Sequence, residues 1–338
     1  MLTAVAVIFV FSLLVLGHEA GHLAAAKRAG VKVHEFSMGF GPRLWGTKWG
    51  DTVYNIRILP LGGFVRMAGM DDDDRESEGS FYRKTVGQRI GITVAGPLMN
   101  LLLAVVIFVM VFTVIGEPRY LNENRVGEVV EGTPAYSAGL RPGDRIVTVD
   151  SIPTASWETV QGQIRSKGAN PIQLGIDREG TIVNLQVTPE LKETNYQIGI
   201  LPTSVIERQG IVSAVSTGFK YTYYITALIL KSFMHINPDE MAGPVGIVYM
   251  IGQASKNGIY VLLQFAGMLS INLAILNLIP IPALDGSRVV FLLLEKLRGR
   301  PVDPEREGMI HLIGFALLMG LVLILTYKDI IRLFGNGT

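Results

Sequence analysis

Four apolar stretches, each about as long as a bilayer-crossing helix, restrict this chain to a small set of folds. Residues 2–26 are apolar up to a polar cluster near their end, and 90–115 are apolar apart from Asn100 and Thr. Residues 259–284 carry no charge, and 309–327 carry only His311 as an ionisable group. An α-helix needs roughly 20 residues to cross a hydrocarbon core of about 30 Å. These stretches explain why only 17% of the 338 residues are charged, where soluble domains run nearer a quarter. The spacing predicts a multi-pass α-helical membrane protein with four transmembrane helices.

Basic residues set the expected orientation. Between Lys27 and Arg89 lie eleven Lys/Arg, and between Asp285 and Gly308 five more, in contrast to a charge-free N-terminal end. Positive loops face the cytoplasm, so both connections are expected inside, with 119–258 on the far side. Met1-Leu2-Thr3 lacks the basic flank of a secretory signal and no small-residue cleavage site follows, so the first helix is expected to be retained. Residues 119–202 read as short strands (125–130, 145–149, 172–177, 182–187) with a helix around 157–165, punctuated by Gly-Thr-Pro and Arg-Pro-Gly-Asp turns. The segment 203–258 reads as an amphipathic helix on the membrane surface. A fifth span over 211–234 is the rival reading, disfavoured by Lys220 and Lys231.

The net charge is +1, which gives no electrostatic case for nucleic-acid binding. The chain has no cysteine. Disulfides, thiolate metal sites and cysteine nucleophiles are therefore excluded, and any transition metal must rely on His, Asp and Glu.

His18-Glu19-Ala20-Gly21-His22 has the His-Glu-x-x-His spacing. On a helix His22 lies only about 40° round from His18 and one turn along, so both imidazoles reach one ion. Glu19 is placed to touch a water beside that ion and act as general base. With five His in the chain, a chance match is expected only about 0.004 times. Two histidines with a carboxylate and an open position form a catalytic zinc pattern. The motif sits roughly 8–14 Å inside the helix end marked by Lys27, a depth at which ionisable groups mark function. A third ligand is expected at the same depth. Asp285 is the first acid after a long uncharged span and follows Pro280 and Pro282, which break helical bonding where irregular backbone is tolerated only if buried or lining a wet cavity.

These two motifs, His-Glu-x-x-His and Asn277-Leu278-Ile279-Pro280-Ile281-Pro282-Ala283-Leu284-Asp285-Gly286, together resemble the site-2 protease family of intramembrane zinc metalloproteases. Phe36–Pro42, Pro60–Met67, Ala95–Asn100 and Gly139–Ile146 extend the resemblance over nearly the whole chain, and the last of these resembles a bacterial PDZ signature. The match is to bacterial regulator-of-sigma-E-protease (RseP)-like members, with room for a single PDZ domain. The resemblance implies a Zn2+ cofactor held by His18, His22 and Asp285, with Glu19 as catalytic base. It implies that Asn277 and Pro282 hold unwound substrate. It also implies a membrane-associated β-hairpin over Thr52–Met67, where Pro60-Leu61-Gly62-Gly63 supplies a turn, with an edge open to substrate strand addition near Gly62 and Gly63. The expected organisation is a protease core over 1–118 and 259–338, an inserted extracytoplasmic α+β PDZ domain over 119–202, and the surface segment 203–258. The expected setting is a bacterial inner membrane, with the site near the cytoplasmic side. Expected partners are the lipid bilayer and a single-span transmembrane substrate, such as a shortened anti-sigma factor or a signal-peptide remnant. The PDZ domain is read as a size filter rather than a peptide binder, and the run Asp71–Asp74 as a solvated loop. The rivals are a metal transporter, which needs no Glu between the histidines and for which no repeat is seen, and a non-catalytic PDZ scaffold.

Overall fold

The computed structural model describes residues 2–70, 76–192, 195–233 and 241–334. The acidic run Asp71–Asp74 lies outside the described residues. In chain order the elements begin with α1 (Leu2–Arg28), β1 (Val33–Trp49), β2 (Thr52–Met67) and α2 (Val86–Met110), the last continuing as a π-helical turn over Val111–Ile115. A short-stranded segment follows: β3 (Glu117–Tyr120), β4 (Val126–Val129), the single-turn α3 (Pro134–Ser137), β5 (Arg145–Val149), β6 (Ile152–Pro153) and α4 (Trp157–Ser166). It continues through β7 (Ile172–Arg178), β8 (Thr181–Val187), β9 (Glu190–Lys192), β10 (Asn195–Gln197), β11 (Ile200–Pro202) and β12 (Ser204–Glu207). The chain returns to helix in α5 (Ile211–Phe233), α6 (Pro244–Lys256), α7 (Ile259–Leu278), α8 (Asp285–Arg298) and α9 (Pro304–Phe334). These elements form two units, Ile115–Arg208 and the remainder.

In the helical unit, four helices are long and apolar enough to cross a membrane: Leu2–Arg28, Val86–Ile115, Ile259–Leu278 and Glu305–Leu333. The helix α5 is not among them. The region 203–258 is not one amphipathic helix: β12 pairs with β3, and α5 and α6 are separate helices. The helix α5 packs on α2 through a stripe of small residues, Ala214, Gly218 and Thr222. The Tyr221 ring meets Phe108 and Phe112 edge-on, with ring centroids at 4.8 and 5.9 Å. The start of α6 is held by Asp329 of α9, whose carboxylate accepts from Gly246 N at 2.7 Å and Gly243 N at 3.2 Å. Helix α2 is central, packing against α1, α5, α7 and α8. It opens with a Thr85–Gln88 capping box, which satisfies N–H groups the first turn would otherwise leave free. Arg89, 5% exposed, ties α2 to α8 through a two-pronged ion pair with Glu295.

Strands β1 and β2 form a hairpin that turns at 50–51, and β2 reverses direction between 56 and 63 without losing its pairing to β1. Both strands bend, so 33–38 pair on one side with 63–67 and on the other with 53–56, which also pair with 45–49. Ser37 Oγ, Asn55 Nδ2 and Arg57 Nη2 all donate to Glu35 Oε1, at 2.5, 2.7 and 2.5 Å, and pin the strands where they cross. The roots of the hairpin enter an apolar cluster of Ala26, Val31, Val33, Met67, Phe81 and Ile92.

The unit Ile115–Arg208 has its own core. Period-two alternation in β7 turns Ile172, Leu174 and Ile176 inward against Trp157, Val160 and Ile164 of α4, and the sheet order is β6-β5-β7-β8. Asp144, 2% exposed, accepts from Arg178 Nε and Nη2 at 2.8 and 2.7 Å and from Arg141 N at 2.8 Å. Burial alone would raise its carboxyl pKa. The Arg178 and Arg141 hydrogen bonds outweigh that and hold it below the ordinary value. Its stabilising contribution is therefore present at neutral pH and lost as pH falls below the unfolded value near 4. Asp144→Ala, which leaves Arg178 with only its bond to the Gly139 carbonyl, should cost about 2 kcal/mol. Hydrogen exchange in the full-length protein would show this as lost protection confined to β5 and β7; unchanged protection would assign the pair no stabilising role.

Candidate active site

The site is built where the second half of α1 meets α2. Gly17, just before the His-Glu-x-x-His run, and Gly21, within it, lie one turn apart on the face toward α2. A Cβ on Gly17 would lie 2.9 Å from Leu103 Cδ2, and one on Gly21 would collide with the Ala95 carbonyl. This small-xxx-small spacing lets two helix backbones approach closely. Gly96 completes it: a Cβ there would overlap His22 Nε2 and lie 2.9 Å from His18 Cε1. The imidazoles thus occupy the volume that a side chain at position 96 would take.

Asp285 arrives from the other side. Ile279, just before Pro280, is extended (φ −67°, ψ 139°) and terminates α7, as proline demands of its predecessor. Ala283 then takes a left-handed φ of +80°, and its N–H donates to His311 Nδ1 of α9 at 3.0 Å. The turn delivers Asp285 as the first residue of α8. Asp285 Oδ2 lies 3.1 Å from His18 Nε2 and 3.4 Å from His22 Nε2, and the two Nε2 atoms are 3.2 Å apart. The three side chains are 12%, 10% and 18% exposed.

These atoms suit a metal ion. Tetrahedral zinc with bonds of 2.0–2.1 Å spaces its ligand atoms about 3.3 Å apart, close to the triangle observed. Asp285 Oδ2 is buried and meets no donor in hydrogen-bonding geometry despite its two histidine neighbours. His22 Nδ1 lies 2.8 Å from Ile92 O, an acceptor only; the ring's hydrogen must therefore sit on Nδ1, and Nε2 keeps its lone pair. His18, His22 and Asp285 form a three-residue group able to hold a metal.

Glu19 and both histidines line a cavity of about 250 Å³, with Phe64, Val65, Ala283, Asp285 and Arg288 also on its wall. Glu19 and the Val65 backbone face each other across the cavity mouth, and Gly63 is close enough that an added Cβ would sit 3.3 Å from Glu19 Cγ. The 63–67 stretch of β2 therefore runs along the mouth of the site. Gly62, at φ +123°, backs onto the Phe40 ring. Two other sequence candidates are placed apart from the cavity. Pro282 lines a separate apolar cleft with Ile313, Gly314 and Leu317 of α9. Asn277 is half-buried near the end of α7, outside the cavity lining. Asn100, which closes the Ala95–Asn100 run and is a polar exception in an apolar span, reaches His18 Nδ1. Neither signal says what the amide meets.

The family model described as Peptidase family M50 matches residues 6–321. The chain belongs to this family. It is 34% identical over 411 aligned positions to "Zinc metalloprotease RasP" of Geobacillus kaustophilus, covering 97% of each chain. It is 34% identical over 419 positions to "Regulator of sigma-W protease RasP" of Bacillus subtilis, covering 98% of this chain and 99% of that one. The chain is accordingly a zinc metalloprotease of the intramembrane site-2 type.

The Gly96 contact gives a test of the geometry. Gly96→Ala should displace one imidazole and lower zinc content in the purified protein by at least about tenfold. Gly91→Ala, on the same helix with open space around it, should leave zinc content unchanged. Equal zinc in both variants would show that the imidazoles do not need the space at position 96.

Proposed function

We propose that His18, His22 and Asp285 hold the zinc and that Glu19 is the general base for hydrolysis of a peptide bond in the transmembrane segment of a single-span protein. The convergence of two imidazole nitrogens and one orphaned carboxylate oxygen beside Glu19 carries this reading. Zinc bound there supplies Lewis-acid polarisation of the scissile carbonyl and lowers the pKa of a water. Glu19, across the cavity mouth from the Val65 backbone, takes the proton of the attacking water and returns it to the leaving amide nitrogen.

A helical substrate must unwind before its carbonyl can be reached, and its freed N–H and C=O groups then need partners. The 63–67 stretch pairs with 33–38 on one side, and among the described residues no strand pairs with its other edge. It lies beside Glu19, so an extended substrate can add there as a further strand, with Gly62 and Gly63 keeping the approach free of side chains. Asn277, in the last turn of α7, and Pro282, in the neighbouring apolar cleft, lie outside the cavity and would meet the unwound segment only beyond its reacting bond. Phe40, Leu44, Trp45 and Trp49 are exposed on the hairpin, as suits aromatic and aliphatic groups at a membrane interface.

The basic connections place the site toward the cytoplasm of a bacterial inner membrane. The unit Ile115–Arg208 then falls on the outer side, where a PDZ-type domain acts as a size filter. The relative named for regulating sigma-W suggests an anti-sigma factor, already trimmed, as the substrate class.

The decisive assay compares wild type with Glu19→Gln, in detergent, on a tagged single-span substrate lacking its ectodomain. Glu19→Gln should keep its zinc and lose cleavage by 10²-fold or more, since general-base catalysis contributes about 10²–10⁴-fold. Mass spectrometry should place the wild-type cut within the hydrophobic span. Comparable cleavage by the two proteins would remove Glu19 from the mechanism.

A further inference from the structure

Both imidazoles of the site are approached from behind by α2. Behind His22 stands the Ile92 carbonyl, 2.8 Å from Nδ1. Behind His18 stands the side-chain amide of Asn100, with its nitrogen 3.4 Å from His18 Nδ1. Asn100 is fully buried, and its Oδ1 has no hydrogen-bond partner. Both facts are costly in an apolar helix bundle, where a buried polar group without a partner loses its full desolvation energy.

The two facts share one resolution. If His18 Nε2 offers its lone pair to a metal, the ring's hydrogen sits on Nδ1, which is then a donor. An amide –NH2 facing it would set donor against donor while the amide oxygen goes unused. The two ends of an asparagine amide are almost identical in shape and are told apart by their hydrogen bonds. Exchanging them turns the repulsive pair into N–H···O and gives the orphaned oxygen its partner. Ser270 Oγ of α7, also fully buried, donates to the Asn100 backbone carbonyl at 2.8 Å, a contact to the helix that leaves the side-chain amide untouched.

We propose that Asn100 is a positioning residue for the metal site, its side-chain oxygen accepting from His18 Nδ1–H so that Nε2 is held toward His22 and Asp285. The inference rests on the ligand role proposed above for His18. In this arrangement α2 orients both histidines, one through a backbone carbonyl and one through a side chain. Partners of this kind are worth 10–100-fold in metal affinity.

Zinc affinity of the full-length protein in detergent, measured by competition with a chromophoric chelator, tests the inference apart from cleavage. Asn100→Leu removes the acceptor and should weaken zinc binding by about 10–100-fold, with cleavage recovering as zinc is raised. Asn100→Asp is acceptor-only and should bind zinc to within a few-fold of wild type. Ser270→Ala, which disturbs the same helix contact without touching the amide, should bind as wild type does. Wild-type affinity in a folded Asn100→Leu protein would overturn the inference, as would an equal loss in Ser270→Ala. If Asn100→Leu does not fold, Asn100→Asp decides alone, because loss of zinc there means that the donor end of the amide is what His18 requires. His18→Ala separates this inference from the reading beneath it. Undiminished zinc binding in that variant overturns the ligand assignment and the inference with it; lost zinc binding there, with Asn100 variants unaffected, overturns the inference alone.

Discussion

Three lone-pair atoms from two separated helices must meet at one point inside an apolar bundle, and much of the helical unit is arranged around that requirement. Bringing His18, His22 and Asp285 within 3.1–3.4 Å of one another would be prohibitive without something to share them, because none of the three can satisfy the others as an acceptor. The closeness is enforced by backbone rather than by side-chain attraction. Gly17, Gly21 and Gly96 remove the bulk that would keep α1 from α2. Pro280 and Pro282 end α7 so that the chain can turn and start α8 with an acid. The Arg89–Glu295 pair then anchors the far end of α8 to α2, so Asp285 is held from its own helix as well as from its loop.

The hairpin is the second consequence. Its roots pack into the apolar cluster beneath the site, and the bonds to Glu35 hold its strands where they cross. That rigidity allows 63–67 to lie along the cavity mouth with a backbone edge available. An intramembrane protease must supply hydrogen-bond partners to a substrate that has given up its helix, and a strand edge does so without selecting side chains. The unit Ile115–Arg208, with its own sheet and core, is stabilised separately from this machinery.

Much of the helical unit was legible in the chain because its signals are local. Apolar runs of bilayer length predict helices wherever they occur, and all four stretches are helical. The His18–Glu19–His22 spacing forces three side chains onto adjoining faces of one turn. In the inserted segment, the expected strands and helix lie where alternation and turn residues put them, at β4, β5, β7, β8 and α4. The failures are equally physical. The run Pro60-Leu61-Gly62-Gly63 reads as a turn, and the chain does reverse there, but not as the end of a strand. The β1–β2 ribbon folds back on itself, so that 53–56 run parallel and 63–67 antiparallel to 35–38, with Gly62 at φ +123° in the bend. Residues 203–258 looked like one amphipathic helix because apolar content cannot show that β12 belongs with β3.

By itself, then, the sequence determined the four long apolar helices and the two imidazoles and carboxylate gathered on one turn of α1, since each depends on residues within a turn or two of one another. The tertiary structure alone decided which carboxylate oxygen faces the histidines, which strand borders Glu19, and which residues stand behind the imidazoles. Asn100 shows the difference most clearly. It lies 82 positions from His18, and the Ala95–Asn100 run that contains it does not say which side chain it meets. Only the close packing of α1 on α2, permitted by glycines whose purpose is invisible until both helices are in place, turns an isolated amide into a neighbour of the site.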